Sequence, residues 1–256
     1  MIIMQQNMNT IRKILVSQPQ PTIERNPYAQ MAKQFGVEFD FHQLIHVEGL
    51  NAKEFRQQHI NPLDYTAVLL NSRLGIDHYF RLCEEMRLQV PETMHYYCIS
   101  ESVANYLQKY IQYRKRKVFF SENHNFMDLL PTMNRRPNEK YLMVMSDVHN
   151  DATIQQFADK NITIRPAIMY RTVADEWPKD VPFDHDMVVL FTPSGVQALL
   201  QNFPDLKDGE KIIACFGQST LNTLEAAGLH AEIQAPTPEC PGITTALQRY
   251  LETHLS

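Results

Sequence analysis

The chain has 256 residues, 44% of them hydrophobic and 21% charged, which is ample for one or two packed domains and excludes a staple-held module or a disordered segment. Its 24 Lys and Arg against 29 Asp and Glu leave a net charge of -5, so no general basic field exists to gather a nucleic-acid backbone. The longest apolar runs, Met187 to Phe191 and Ile212 to Phe216, are of strand length, far short of the roughly 20 residues of a membrane span.

Met1 to Lys13 starts apolar but continues with Gln, Asn, Arg and Lys, and it has neither the apolar run nor the small-residue cleavage site of a secretory signal. Strands are expected at Ile14 to Val16, Glu38 to Val47, Ala67 to Leu70, His95 to Ile99 and Val118 to Phe119. They continue at Tyr141 to Met145, Ile162 to Val173, Met187 to Phe191, Ile212 to Phe216 and Ala231 to Ile233. Amphipathic stretches of helical length fill the gaps, so the class is α/β with parallel sheets. Asn26 and Pro27 open one helix and Gly36 closes it, while Ser194-Gly195 and Ser219-Thr220 look like the starts of two others. The strands around 38–47 and 162–173 are too long for a compact parallel sheet and read as bridges between two domains. Domain 1 then comprises residues 1–46 and 172–256, discontinuous in sequence, and domain 2 comprises residues 47–165.

The same order of parts occurs twice. Leu15-Val16-Ser17 is echoed by Val144-Met145-Ser146, Leu70-Asn71-Ser72-Arg73 by Phe191-Thr192-Pro193-Ser194-Gly195, and Cys98-Ile99-Ser100-Glu101-Ser102 by Cys215-Phe216-Gly217-Gln218-Ser219-Thr220. This reads as an internal repeat. Each echo ends a strand in small polar residues that begin a helix, where hydroxyls and unpaired N–H groups bind carboxylate or phosphate oxygens. Ordinary helix capping is the plainer reading of any one such loop.

Other chemistries lack their parts. There is no GxGxxG, GxxxxGK[ST] or GxSxG, which removes dinucleotide binding, P-loop chemistry and the serine-hydrolase elbow. The four cysteines, Cys83, Cys98, Cys215 and Cys240, have no CxxC spacing, so neither a disulfide nor a zinc site is expected. The ten histidines form no HExxH pattern. His42 and His46 lie four apart in an expected strand, and His78, His95 and His149 are dispersed. Arg114-Lys115-Arg116-Lys117 reads as a basic run closing a helix, a solvated face that could also attract an anion.

Leu190 to Val196, Ile213 to Thr220, Ala226-Ala227-Gly228-Leu229 and Ala235-Pro236-Thr237-Pro238 stand together in order and spacing, and through them the second half resembles uroporphyrinogen-III synthase, with Met169-Tyr170-Arg171-Thr172 resembling the family's tyrosine-bearing bridge strand. The resemblance implies two flavodoxin-like domains joined by a two-stranded ladder and able to open and close around a cleft. A cytoplasmic protein is expected from the N-terminal composition and the short apolar runs, and the resemblance further implies a monomeric hydro-lyase without metal or organic cofactor. Such an enzyme acts on a small linear tetrapyrrole, hydroxymethylbilane, with no nucleic-acid or membrane partner. It expels the hydroxyl, inverts the last pyrrole ring through a spiro intermediate and closes the macrocycle. Each ring bears an acetate and a propionate, so many hydrogen-bond donors are required.

Carried over, Tyr170 would assist departure of the hydroxyl. Thr192, Ser194, Gly195, Gly217, Ser219 and Thr220 would bind carboxylates in one domain, and Ser72, Arg73, Ser100 and Ser102 in the other. Two departures stand out. Ser17-Gln18-Pro19 replaces the family's Thr-Arg-Pro, and Ser146-Asp147-Val148-His149-Asn150-Asp151 is acidic where a basic residue is common, with Asp147 and Asp151 expected to repel a polycarboxylate. Arg73, Lys109 and the 114–117 run are candidate substitutes for the missing cations. The alternatives are a non-catalytic protein on the same scaffold that holds a tetrapyrrole or another small anion, and an unrelated two-domain α/β protein with convergent loops.

Overall fold

The computed structural model describes residues 11–22, 26–149 and 151–255; the signal-peptide reading over residues 1–10, and Asn150 of the acidic loop, lie outside them. In chain order the strands are β1 (Lys13–Val16), β2 (Glu38–Phe41), β3 (Ile45–Gly49), β4 (Ala67–Leu70), β5 (His95–Cys98), β6 (Val118–Phe120), β7 (Tyr141–Ser146), β8 (Ile164–Ala174), β9 (Met187–Leu190), β10 (Ile212–Phe216) and β11 (Ile233–Ala235). The α-helices are α1 (Pro27–Phe35), α2 (Ala52–Arg56), α3 (Arg73–Glu85), α4 (Glu101–Tyr106), α5 (Leu130–Asn134), α6 (Ala152–Ala158), α7 (Pro193–Asn202), α8 (Gln218–Ala226) and α9 (Ile243–Leu255). The chain divides into two compact units, Met1–His46 with Val173–Ser256, and Val47–Thr172. Among the described residues no helix is long and apolar enough to cross a membrane.

The first unit is built on a five-stranded sheet, ordered β11-β10-β9-β1-β2, with every neighbouring pair parallel. Alternation sends Ile14, Val16, Met187 and Val189 into one apolar cluster with Met31 of α1 and Leu247 of α9. Leu15, Val188 and Leu190 enter another cluster with Val196 of α7 and Leu224 of α8. Burial on both faces is why these strands read as unbroken apolar runs.

The second unit carries a six-stranded sheet, ordered β3-β8-β7-β4-β5-β6. Val68, Leu70, Leu142 and Val144 pack with Ile76 and Tyr79 of α3, while Ala67, Leu69, Met143 and Met145 pack with Phe126, Met133 and Phe157. All of its strands from β4 to β8 pair in parallel. Only β3 runs against its neighbour, since Leu50 N donates to Met169 O and Asp175 N donates to Leu44 O.

The two sheets share one plan. Read from β9, the order β11-β10-β9-β1-β2 is the order β6-β5-β4-β7-β8, so the echoed segments occupy corresponding strands: β1 with β7, β4 with β9, β5 with β10. The caps correspond too. Ser72 Oγ accepts from Gly75 N at 2.9 Å and Thr192 Oγ1 from Gly195 N at 3.0 Å. A Cβ on either glycine would lie 3.3 Å from the capping oxygen, so the third helical position needs a small residue. Ser100 caps α4, but α8 has Gly217 there, with φ at +88° and no side-chain cap.

Several expectations need correction. Glu38 to Val47 is not one strand; it breaks into β2 and β3 in different sheets, because Leu44, 1% exposed, turns into the core beside Leu15 and Val188. His42 and His46 thereby separate, His42 against the Trp177 ring and His46 Nδ1 2.6 Å from Asp175. The last strand is shifted to β11, since Ala231 and Leu229 pack with the α8 core instead. Helices α7 and α8 begin at Pro193 and Gln218, placing Ser194 and Ser219 inside first turns. The Arg114 to Lys117 run closes no helix: α4 ends at Tyr106, a short 3-10 turn follows, and the run forms the turn into β6, with Lys117 N donating to Arg114 O.

Leu69, fully buried at the centre of its sheet, is the position for a direct test of this core. Leu69→Ala is expected to lower unfolding free energy by about 2–5 kcal/mol, read by chemical denaturation.

Candidate active site

In an open parallel sheet the ligand crevice lies beyond the carboxyl ends of the strands where the order reverses. In the second unit that point falls between β4 and β7. A cavity of about 270 Å³ sits there, lined in part by Asn71 after β4, Met145 and Ser146 of β7, His149, Thr153 of α6 and Tyr170 of β8.

A register break delivers Tyr170 to this place. Met145 pairs with Ile168 but Ser146 pairs with Tyr170, so β8 carries one extra residue, Met169. Strict alternation would put Met169 and Tyr170 on opposite faces, yet both pack into the same cluster. The loop after β7 fixes the arrangement: Asp147 N donates to Tyr170 O at 3.1 Å, and Asp147 Oδ1 accepts from Thr172 N at 3.0 Å, Val148 N at 2.8 Å and Ser146 Oγ at 2.9 Å. Asp147 is therefore a clamp on the β7–β8 junction, and its charge is taken up by backbone N–H groups.

Tyr170 is 7% exposed. Burial raises its phenol pKa and a hydrogen bond from Ser72 opposes the rise, so the phenol carries its proton at neutral pH. Behind it the His78 ring stacks with centroids 5.0 Å apart and planes 18° from parallel. Burial lowers the His78 pKa and the neighbouring Arg81 lowers it further, so the imidazole is neutral. Arg81 Nε donates to His78 Nδ1 at 3.4 Å, which places the ring proton on Nε2, a buried atom without a partner among the described residues. Gly49 makes this packing possible, because a Cβ there would lie 2.7 Å from His78 Nδ1 and Arg81 Nη2.

The expected site residues are only partly gathered. Ser72 joins Tyr170. Arg73 is exposed, its guanidinium 5.6 Å from the Tyr106 ring centre. Ser100 and Ser102 have their hydroxyls 3.1 Å apart and line a separate recess of about 500 Å³ with Ser121 and His124. In the first unit, Thr192, Ser194 and Gly195 form the start of α7, and Gly217, Ser219 and Thr220 the start of α8. Among the described residues no side chain caps α8, and the buried Thr220 Oγ1 has no hydrogen-bond partner.

Lys109 is already committed, its ammonium 2.9 Å from Asp77, whose carboxylate also accepts from Tyr106 and Tyr110. Arg171 is likewise engaged, 3.0 Å from Glu48 and 2.8 Å from Glu54. Among the described residues no three His, Cys, Asp or Glu side chains form a group that could hold a metal. Two residues beside Tyr170, His78 and His149, stand in the sequence only as dispersed histidines. The position of His149 just past β7 at the sheet's reversal was the available signal; the stacking of His78 had none.

Hydroxyl-lined strand ends on two parallel sheets, with a proton-bearing tyrosine at a switch point, define an α/β protein suited to small anionic molecules. The family model described as uroporphyrinogen-III synthase HemD matches residues 26–245. The chain belongs to that family, lyases of haem biosynthesis. The fold is similar to that of uroporphyrinogen-III synthetase from Helicobacter pylori, at 14% identity, covering 95% of this chain and 100% of that one with a TM-score of 0.59. It is also similar to a mutant uroporphyrinogen III synthase from Thermus thermophilus, at 13% identity, covering 95% and 98% with a TM-score of 0.52. No curated protein matches the chain by sequence.

The Ser72 contact has a spectroscopic consequence. Removing it takes away the one interaction that lowers the Tyr170 phenol pKa, so in Ser72→Ala the Tyr170 tyrosinate should form at higher pH. Ultraviolet titration, with Tyr170→Phe as the reference, reads the shift. Loss of the α3 cap should also cost about 1 kcal/mol of stability.

Proposed function

We propose that this chain closes hydroxymethylbilane into uroporphyrinogen III, with inversion of the last ring and loss of water, and that Tyr170 assists departure of the hydroxyl. The observation that carries this reading is the buried, protonated Tyr170 phenol held beside Ser72 at the switch point by the extra residue in β8. A neutral phenol donates a hydrogen bond to the leaving oxygen and carries it towards water, while the electron-rich pyrrole supplies the displacing electrons. The rest of the work is positioning: a flexible tetrapyrrole must be held with its ends together.

The donors for its carboxylates are the strand-end loops, Ser72, Ser100 and Ser102 in one unit and Thr192, Ser194, Gly195, Gly217, Ser219 and Thr220 in the other. Arg73 stands exposed at the start of α3 as a further contact. No metal or organic cofactor enters this scheme, and no nucleic acid or membrane is a partner in it. A cytoplasmic location and a monomeric state belong to the same reading. All four cysteines are buried and unlinked, which favours a reducing compartment. Burial pushes the Cys98 thiol up to about 12 and those of Cys83 and Cys215 up to about 11, so none is a nucleophile at neutral pH.

The test feeds freshly generated hydroxymethylbilane to the purified protein and separates the oxidised type III and type I isomers. Wild type should give an excess of type III, and Tyr170→Phe should lower its rate by roughly 10²-fold without abolishing it. Only type I, formed by spontaneous closure, from folded wild-type protein would leave the non-catalytic tetrapyrrole or anion binder as the better account.

A further inference from the structure

We infer that His78 is a positioning residue for Tyr170: its ring, held by Arg81, sets the plane of the phenol and so the direction in which the phenol offers its proton. The inference rests on the functional reading above for the reaction, and on the contacts of α3 for the positioning.

A strand holds the backbone of a tyrosine but leaves its ring free to turn about the last side-chain bond, whose preferences are broad. That turn leaves the phenol oxygen in place. It does swing the O–H, which conjugation keeps in the plane of the ring, so the ring plane decides where the proton can be given. Two contacts restrain Tyr170, and both come from α3. Ser72, the N-cap, hydrogen-bonds the phenol oxygen. His78 lies along the ring face, with centroids 5.0 Å apart and planes 18° from parallel. The first fixes the oxygen and the second fixes the plane.

His78 is itself held. Arg81 Nε donates to His78 Nδ1, while Arg81 Nη2 donates to Leu50 O at 2.6 Å and Nη1 to Glu85 Oε2 at 2.9 Å. The other oxygen of Glu85 accepts from Ala52 N at 2.8 Å, and Leu50 N donates to Met169 O, one residue before Tyr170. The contacts thus close on themselves, from the tyrosine ring through α3 and β3 back to the strand that carries the tyrosine. Gly49 admits them, since a Cβ there would meet both His78 and Arg81 at 2.7 Å. The imidazole supplies a face and no charge: burial and Arg81 lower its pKa, and Asp77 opposes them only in part. A cation in that place would favour the tyrosinate and weaken the phenol as a proton donor.

Three arms test this. In the type III assay, His78→Ala should lower kcat roughly 10- to 100-fold with KM little changed, because a misdirected phenol fails when the hydroxyl leaves and not when the substrate binds. His78→Phe, which restores a flat neutral face at this half-buried position, should recover most of that loss. Independently of turnover, the ring resonances of Tyr170, assigned by their absence in Tyr170→Phe, should move in His78→Ala as the imidazole ring current is lost. In the same variant water reaches the phenol, so the tyrosinate should form at lower pH, opposite in sign to Ser72→Ala.

A merely structural role would lower the stability of His78→Ala and leave kcat per folded molecule and the Tyr170 resonances as in wild type. That result, or a Phe variant no better than Ala, would overturn the inference. If wild type makes only type I, the synthase reading fails, and the resonance and tyrosinate arms still decide whether His78 sets the Tyr170 ring. Should His78→Ala not fold, His78→Leu, which fills the space without a flat face, carries the same three readouts.

Discussion

One extra residue in β8 organises the second unit around its cavity. A parallel ladder fixes its own register through evenly spaced hydrogen bonds, and inserting Met169 against β7 sets the last pair, Ser146 with Tyr170, out of step with the rest. From that single offset follow the turning of the Tyr170 ring towards Ser72 and His78, the capture of Thr172 N by Asp147, and the path of the loop that presents His149. The offset is tolerated because each freed backbone group finds another partner: the Asp147 amide takes the Tyr170 carbonyl, and its carboxylate takes the Thr172 amide.

Around this junction the charged side chains are mostly engaged with one another. Asp77 collects Tyr106, Tyr110 and Lys109 and ties α3 to the segment after β5; burial raises its pKa, but those hydrogen bonds outweigh it and hold the carboxyl below its ordinary value. Arg171 spans Glu48 and Glu54 and ties β8 to β3 and α2. Of the cations that the sequence offers to a substrate, Lys109 is in this way committed to the scaffold, while Arg73 stays exposed. Hydroxyls, helix starts and the exposed Arg73 are available to an anionic ligand.

The scaffold was legible because its signals are local. Apolar runs buried on both faces announce parallel strands, as at Ala67 to Leu70 and Ile212 to Phe216. Asn26 with Pro27 and Gly36 bound α1 as capping chemistry requires, with Asn26 Oδ1 accepting from Tyr28 N and Gly36 at φ +68°. The echo of Leu15-Val16-Ser17 in Val144-Met145-Ser146 was visible because both end corresponding strands. What escaped was non-local. Nothing in the order of residues shows that Leu44 breaks a long strand, that Asp147 faces backbone amides, that Lys109 points at Asp77, or that His78 lies flat on Tyr170. Each depends on a partner from 25 to over 100 positions away, and composition ranks the 146–151 loop as repulsive only because it cannot see where the charges go.

The shared plan of the two sheets hides an asymmetry of assembly. The second unit occupies one continuous stretch, whereas the first is closed by pairing β1 with β9, which the bond from Arg12 N to the Asp186 carboxylate anchors across 174 positions. Such a distant closure carries a large loop-entropy cost unless the intervening chain is already compact. The second unit is therefore the natural scaffold for the first: it can form as soon as its own residues have been made, drawing positions 46 and 173 together and turning a long closure into a short one. During synthesis the residues around β1 must wait, their apolar faces uncovered, until β9 emerges to receive them.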